Sequence, residues 1–307
     1  MIQYPWHSMR ICGIRSLRFT ARTTYSQKRT SQRLSTMPIA LITGASREDT
    51  IGFEVARQLG AKGYDLILPT RSIDAGRKVS EVLKTKHEVN NVHVVELDLT
   101  KPESVKACAD EVKKQTGALD VLVNCAGISL ASTYDKGIEA LKGWKDYSLT
   151  EGLRAIDTTH DDLEAIFRTN VFGAIELTNA LAPLLLQSKA PRLVFVSTTI
   201  GTFESADKPD AFNHYFFAYA SSKAALNMAA LSYSKQLPKL NPAIKVNLVC
   251  PGYPATALNG YQGFGTTPDS AIGIVELATV DEHGPNGEFL AAYAPYGEPG
   301  KMGRVPW

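Results

Sequence analysis

Tyr219 and Lys223 are the pair in this chain whose types and spacing best suit proton transfer to an oxygen. Of the 12 tyrosines, only Tyr219 has a lysine four residues on, in Tyr-Ala-Ser-Ser-Lys. On a helix, positions i and i+4 share a face, so the ammonium falls beside the phenol. A free phenol ionises near pH ~10, too high for ready proton exchange at neutrality. A neighbouring cation stabilises the phenolate and lowers that value. Such a pair suits hydride reduction of a carbonyl, in which the forming alkoxide needs a proton. Hydroxyls able to donate to the same oxygen stand at Ser197 and Thr198, within Val-Phe-Val-Ser-Thr-Thr-Ile-Gly (194–201).

The elements that must position these groups alternate along the chain. Apolar runs predict strands over 39–43, 65–69, 92–97, 121–124, 193–197, 244–250 and 288–293. Helical patterns fall between them, over 52–62, 72–85, 102–117, 160–187, 216–237 and 268–279. Strands rich in Val, Ile and Leu, each followed by a helix, call for a parallel sheet buried on both faces. The expectation is an α/β fold over residues 38–307, a single doubly wound Rossmann-type sheet with helices on both faces. Its ligands belong at the carboxyl ends of the strands, where Tyr219 opens the helix after the fifth. Two intervals exceed simple connections: 129–159, with Trp144 and Tyr147, and 201–215. Long loops on this face form lids or substrate walls or are surface elaboration, and 129–159 is expected to cap the cleft.

A turn from Thr43 to Gly52 joins the first strand to its helix. Gly44 and Gly52 let the backbone bend sharply and, with Ile51, bring helix N-terminal N–H groups towards a pyrophosphate. The second strand ends in Pro69-Thr70-Arg71, with no acid there to hold a ribose 2′-hydroxyl. Arg71, with Arg47 in the turn, favours a 2′-phosphate, and therefore NADP over NAD.

In this order the segments resemble the short-chain dehydrogenase/reductase family. Thr43–Gly52 is similar to its TGxxxGxG fingerprint, with Glu48-Asp49-Thr50 as a two-residue expansion carrying two acids. Those acids are expected to point away from the phosphates. The resemblance implies that Asp98, closing the third strand, meets the adenine. It also implies that Asn124-Cys125-Ala126-Gly127 stands for the NNAG segment, with Asn124 and Gly127 at the cofactor. Asn170 matches the asparagine that interrupts a helix and holds a water leading to the lysine. Cys250-Pro251-Gly252 opens the Pro-Gly segment, with Gly252 near the nicotinamide and Thr256 at its carboxamide. The family's Ser-x-x-Gly pattern, counted back from Gly201, selects Thr198 as the carbonyl-orienting hydroxyl, with Ser197 beside it. On this reading Lys223 also binds the nicotinamide ribose. The resemblance covers about residues 38–295.

Composition sets the remaining bounds. The chain is 44% hydrophobic with a mean hydropathy of −0.12, as a globular protein with ample core requires. No apolar run approaches the ~20 residues of a membrane span. Cys12, Cys108, Cys125 and Cys250 lie far apart, so reduced thiols are expected, and neither a disulfide framework nor a metal site. Residues 1–37 hold seven of the 33 basic groups and no acid, which leaves 26 against 31 acidic groups beyond them. That body, near −5, is unsuited to nucleic acid or an anionic membrane, so the expected partner is a small carbonyl or alcohol. The Arg-, Ser- and Thr-rich segment 1–37 fits either a mitochondrial-matrix presequence or a disordered extension upstream of Met37. The second reading, with a cytoplasmic protein, is the expectation. The oligomeric state stays open: the resemblance implies a homo-oligomer paired through the helices bearing Asn170 and Tyr219, and the segment before Tyr215 is placed to obstruct that surface. The competing functional class is a non-catalytic NADP-binding sensor or scaffold, which would have little need of the Tyr219–Lys223 pair.

Overall fold

Strand β1 (Ile39–Ile42) shows why these apolar runs form a central sheet. Ile39 and Leu41 pack into one hydrophobic core, and Ala40 and Ile42 into the core on the opposite face. A strand apolar at every position needs cover on both sides. The computed structural model describes residues 37–129, 145, 151–209, 211–298 and 301–307. Trp144, Tyr147 and most of the 129–159 interval lie outside the described residues.

The described strands form an eight-stranded sheet in the order β3-β2-β1-β4-β5-β6-β7-β8. The others are β2 (Asp65–Thr70), β3 (Val92–Glu96), β4 (Val121–Asn124), β5 (Arg192–Val196), β6 (Lys245–Cys250), β7 (Phe289–Ala291) and β8 (Gly303–Arg304). All pairings are parallel except that of β7 with β8. The sheet winds outward from β1 in one direction and from β4 in the other. Ile42 is in register with Val123 across that switch point, which is where such sheets bind ligands.

One face carries α1 (Ile51–Ala61) and α2 (Ile73–His87). The other carries α3 (Pro102–Gln115), the segment α4 (His160–Phe167) to α5 (Ala174–Leu185), and α7 (Phe217–Gln236). A short α6 (Phe203–Ala206) precedes α7, and α8 (Thr267–Thr279) returns to the first face. Phe195 and Phe289 are fully buried, each worth about 1.5–3 kcal/mol in removal from water.

The 160–187 pattern is divided by a π-helical turn, Arg168–Gly173, at the Asn170 that the family resemblance places as a helix interruption. The extra residue in that turn accompanies a close backbone approach: a Cβ on Gly173 would lie 2.3 Å from the Leu99 carbonyl oxygen. Strand β5 stops one residue earlier than expected, leaving Ser197 just past its end. Strand β8 was not expected, because two residues are too few to show a period.

The foot of the sheet is held by a buried cation. Arg192 is 5% exposed, and its guanidinium donates to the carbonyls of Val280 (2.8 Å), Pro191 (2.9 Å) and Ala243 (3.0 Å). It thereby ties the end of α8 and the turn before β6 to β5. Arg192→Met should cost about 2–4 kcal/mol by leaving these carbonyls unserved, seen as a lower urea midpoint. An unchanged midpoint would show that the carbonyls find other partners.

Candidate active site

The turn after β1 is built by close backbone contacts. Gly44 sits at φ +77°, and a Cβ there would lie 3.0 Å from the Ala126 backbone. A Cβ on Gly52 would approach the Gly44 carbonyl oxygen to 2.6 Å. Thr43 locks the turn to the end of β4, its Oγ1 accepting from the N–H groups of Cys125 and Ala126, both at 3.0 Å. Thr50 caps α1 by accepting from Phe53 N–H. The first-turn N–H groups of Ile51 and Gly52 have no carbonyl four residues back within the helix, and both residues line the cleft. The arrangement fits a phosphate.

The two acids of the expansion are spoken for. Glu48 lies 3.6 Å from Lys86 on α2. Asp49 takes a two-pronged contact from Arg47, at 2.8 and 3.0 Å, and accepts from the Tyr261 hydroxyl. Arg47 is therefore not the unencumbered cation that the sequence suggested. Arg71, exposed at the end of β2, has no ion-pair partner among the described residues.

Most of the residues expected from the sequence line one cleft of about 1350 Å³ at the carboxyl ends of the strands. They are Gly44, Arg47, Ile51, Gly52, Arg71, Asp98, Gly127, Ser197, Thr198, Tyr219, Lys223, Gly252 and Thr256. The Asp98 carboxylate accepts from the N–H and hydroxyl of Thr100, which hold its pKa down. Two expected residues stand behind the wall. Asn124, 4% exposed, donates from its amide to Thr178 on α5, so it braces β4 and does not face the cleft. Asn170, in the π turn, exchanges two hydrogen bonds with the backbone of Ile128 and donates to Ser222.

Lys223 is buried and Tyr219 half-buried on successive turns of α7, with Nζ 5.7 Å from the Tyr219 ring centroid. Nζ donates to the Val196 carbonyl at 3.0 Å. Gly127 stands directly against these groups: a Cβ there would make van der Waals contact with Asn170 Oδ1 at 3.4 Å and Lys223 Nζ at 3.5 Å. Burial dominates both ionisations. It raises the Tyr219 phenol above its ordinary value and lowers Lys223 to about 8. Desolvation is the largest cause of the raised phenol, and the lowering expected from the lysine is not seen.

The two adjacent hydroxyls diverge. Ser197 is 3% exposed and bonds Asn227 Oδ1 at 2.5 Å, while Asn227 donates to the Gly201 carbonyl. Thr198 is half-buried, and among the described residues its Oγ1 meets only the Ile200 N–H, at 3.4 Å. Gly201 lets this turn touch α7 directly, since a Cβ there would lie 2.9 Å from the Lys223 and Ala224 backbone.

Three contributors escaped the sequence reading. Asn227 lies four residues beyond Lys223, a spacing that would have placed it on the same helical face. Thr43 opens the fingerprint turn, but its role in tying that turn to β4 shows only in the fold. Tyr293, just past β7, lines the cleft and bonds Cys250 Sγ (2.8 Å) and Thr199 Oγ1 (3.3 Å), contacts made only in the fold.

A doubly wound sheet with a phosphate-fitting turn and a tyrosine–lysine pair at its switch-point cleft defines a class of nucleotide-dependent oxidoreductases. The family model for short chain dehydrogenase matches residues 38–263, and the chain belongs to that family. Arabidopsis thaliana (+)-neomenthol dehydrogenase is 30% identical over 290 residues, covering 82% of this chain and 95% of that protein. Papaver bracteatum salutaridine reductase is 29% identical over 299 residues, covering 82% and 94%. The solved structure of Papaver somniferum salutaridine reductase superposes with a TM-score of 0.62 at 28% identity, covering 82% of this chain and 99% of that one. Among the described residues no helix is long and apolar enough to cross a membrane.

Proposed function

We propose that this chain is an NADPH-dependent oxidoreductase that interconverts a carbonyl and an alcohol on an apolar small molecule. The observation that carries the reading is the Tyr219–Lys223 pair on one helical face, lining the same cleft as the hydroxyl of Thr198. Ile128, Ile200, Phe216 and Leu258 add apolar wall. The relatives, named as a dehydrogenase and reductases, agree with the class.

Gly44, Ile51 and Gly52 would hold the cofactor pyrophosphate, Arg71 the 2′-phosphate, Asp98 the adenine end, and Gly252 and Thr256 the nicotinamide end. When bound, the cofactor supplies the hydride. Thr198 donates a hydrogen bond to the carbonyl oxygen and fixes its direction. Tyr219 delivers the proton to that oxygen as charge develops there. Lys223 stabilises the phenolate left behind. Asn170, its side chain already engaged, serves the relay by fixing the π turn beside Lys223.

A screen of ketones and aldehydes that follows NADPH oxidation tests the reading, and also separates it from a non-catalytic NADP-binding protein. NADPH should bind at least about tenfold tighter than NADH, some 1.4 kcal/mol, and Arg71→Asp should erase the difference. Equal affinities in the unaltered protein would remove the assignment of NADP.

A further inference from the structure

The contact between Asp49 and Tyr261 joins two walls of the cleft from opposite ends of the sequence. Asp49 belongs to the turn after β1, whose Arg47, Thr50, Ile51 and Gly52 line the cleft. Tyr261 belongs to the segment after β6, whose Thr256, Leu258 and Phe264 line it from the other side. Neither the Asp49 nor the Tyr261 side chain is needed to hold its own segment. The β1 turn closes through Thr43 and Thr50. The later segment closes through paired backbone bonds between Ala255 and Gly265 and between Gly265 and Tyr253.

Tyr261 also adopts a backbone conformation that a non-glycine residue seldom takes. Its φ is +61°, directly after Gly260 at +57°, with its N–H bonded to the Thr256 carbonyl at 2.8 Å. Left-handed geometry at a residue with a side chain is disfavoured, and in folded proteins it clusters at functional positions. Here it directs the phenol across the mouth of the cleft onto Asp49.

The charge at the centre of this contact matters most. The side chains of Arg47 and Asp49 are 52% and 38% exposed, so the pair is open to an incoming anion. The hydrogen bonds from Tyr261 and Arg47 outweigh partial burial and keep Asp49 ionised. A carboxylate held two-pronged on a guanidinium occupies the same donor fork that a phosphate would use.

We propose that Asp49 is a built-in competitor for Arg47: it occupies the guanidinium until a cofactor phosphate displaces it, and Tyr261 holds it in that position. The proposal rests on the NADPH reading above and adds a residue that sets cofactor affinity. The two-residue expansion of the turn would thus weaken binding by design, favouring release of the cofactor after turnover.

Calorimetric binding of NADPH to the intact protein tests it through a double-mutant cycle. Asp49→Asn should tighten NADPH by about fivefold, and Tyr261→Phe by about twofold, since the carboxylate loses its second anchor. In an Arg47→Gln background, Asp49→Asn should change the affinity by less than about twofold. An equal gain in both backgrounds would overturn the proposal, because the effect would then be general repulsion between Asp49 and the phosphates. No gain in the unaltered background would overturn it as well. These results leave the functional reading standing if NADPH still binds. NADPH binding to neither the unaltered protein nor Asp49→Asn would take down the functional reading, and this proposal with it.

Discussion

Tyr219→Phe is expected to lower kcat by about 10³-fold or more while leaving the NADPH dissociation constant within about twofold. The substitution keeps the ring, and with it the packing on α7, and removes only the hydroxyl. Retention of more than about a tenth of the unaltered kcat would show that another group protonates the oxygen. The same site fixes the pH dependence of the reducing direction. The phenol must be protonated to donate, and burial holds its pKa above the ordinary ~10, so it stays competent throughout the neutral range. Lys223 must be cationic to stabilise the phenolate, and burial brings its pKa down to about 8. Activity should therefore be full below that value and fall as pH rises through it. Lys223→Arg retains its charge to much higher pH; it should work more slowly but lose the alkaline limb. An unchanged limb in that variant would assign the titration elsewhere.

Much of this was legible in the sequence because the signals are local. Both faces of β1 are buried, so its whole apolar run announced a central strand. The i, i+4 spacing of Tyr219 and Lys223 needed only a helix to become a shared face. What was not legible depends on partners far apart in the chain. Asn124 reads as a cofactor contact until Thr178, 54 residues later, takes its amide. Arg47 reads as a free cation until Asp49 turns back on it, held there by Tyr261, 212 residues away. The i, i+4 spacing of Tyr219 and Lys223 predicts a lowered phenol, but spacing carries no information on burial. Desolvation is the largest cause of the shift in both groups. The π turn at Asn170 was anticipated as an interruption, but its widening belongs with the fit of Gly173 against Leu99, another tertiary contact.

Thr198→Val should lower kcat by about 10²-fold or more, while Thr198→Ser stays active and Ser197→Ala loses little. Both residues line the cleft, but successive residues leaving a strand point in opposite directions, so only one of the two hydroxyls can face the substrate. Ser197 is turned inward and already bonded to Asn227, which in turn holds the Gly201 carbonyl. Removing that hydroxyl disturbs a brace under the turn and costs stability before it costs chemistry. Thr198 has one long contact, with the Ile200 N–H, and keeps its donor available for a substrate oxygen. Valine has nearly the shape of threonine, so Thr198→Val deletes the donor with little change in packing. Its loss should fall on kcat more than on KM, because the hydrogen bond strengthens as charge develops on the oxygen. Thr198→Ser removes only a methyl and should widen the range of accepted ketones. If Ser197→Ala proves the inactive variant and Thr198→Val does not, the hydroxyl roles are exchanged, and the Ser197–Asn227 bond must open when substrate binds.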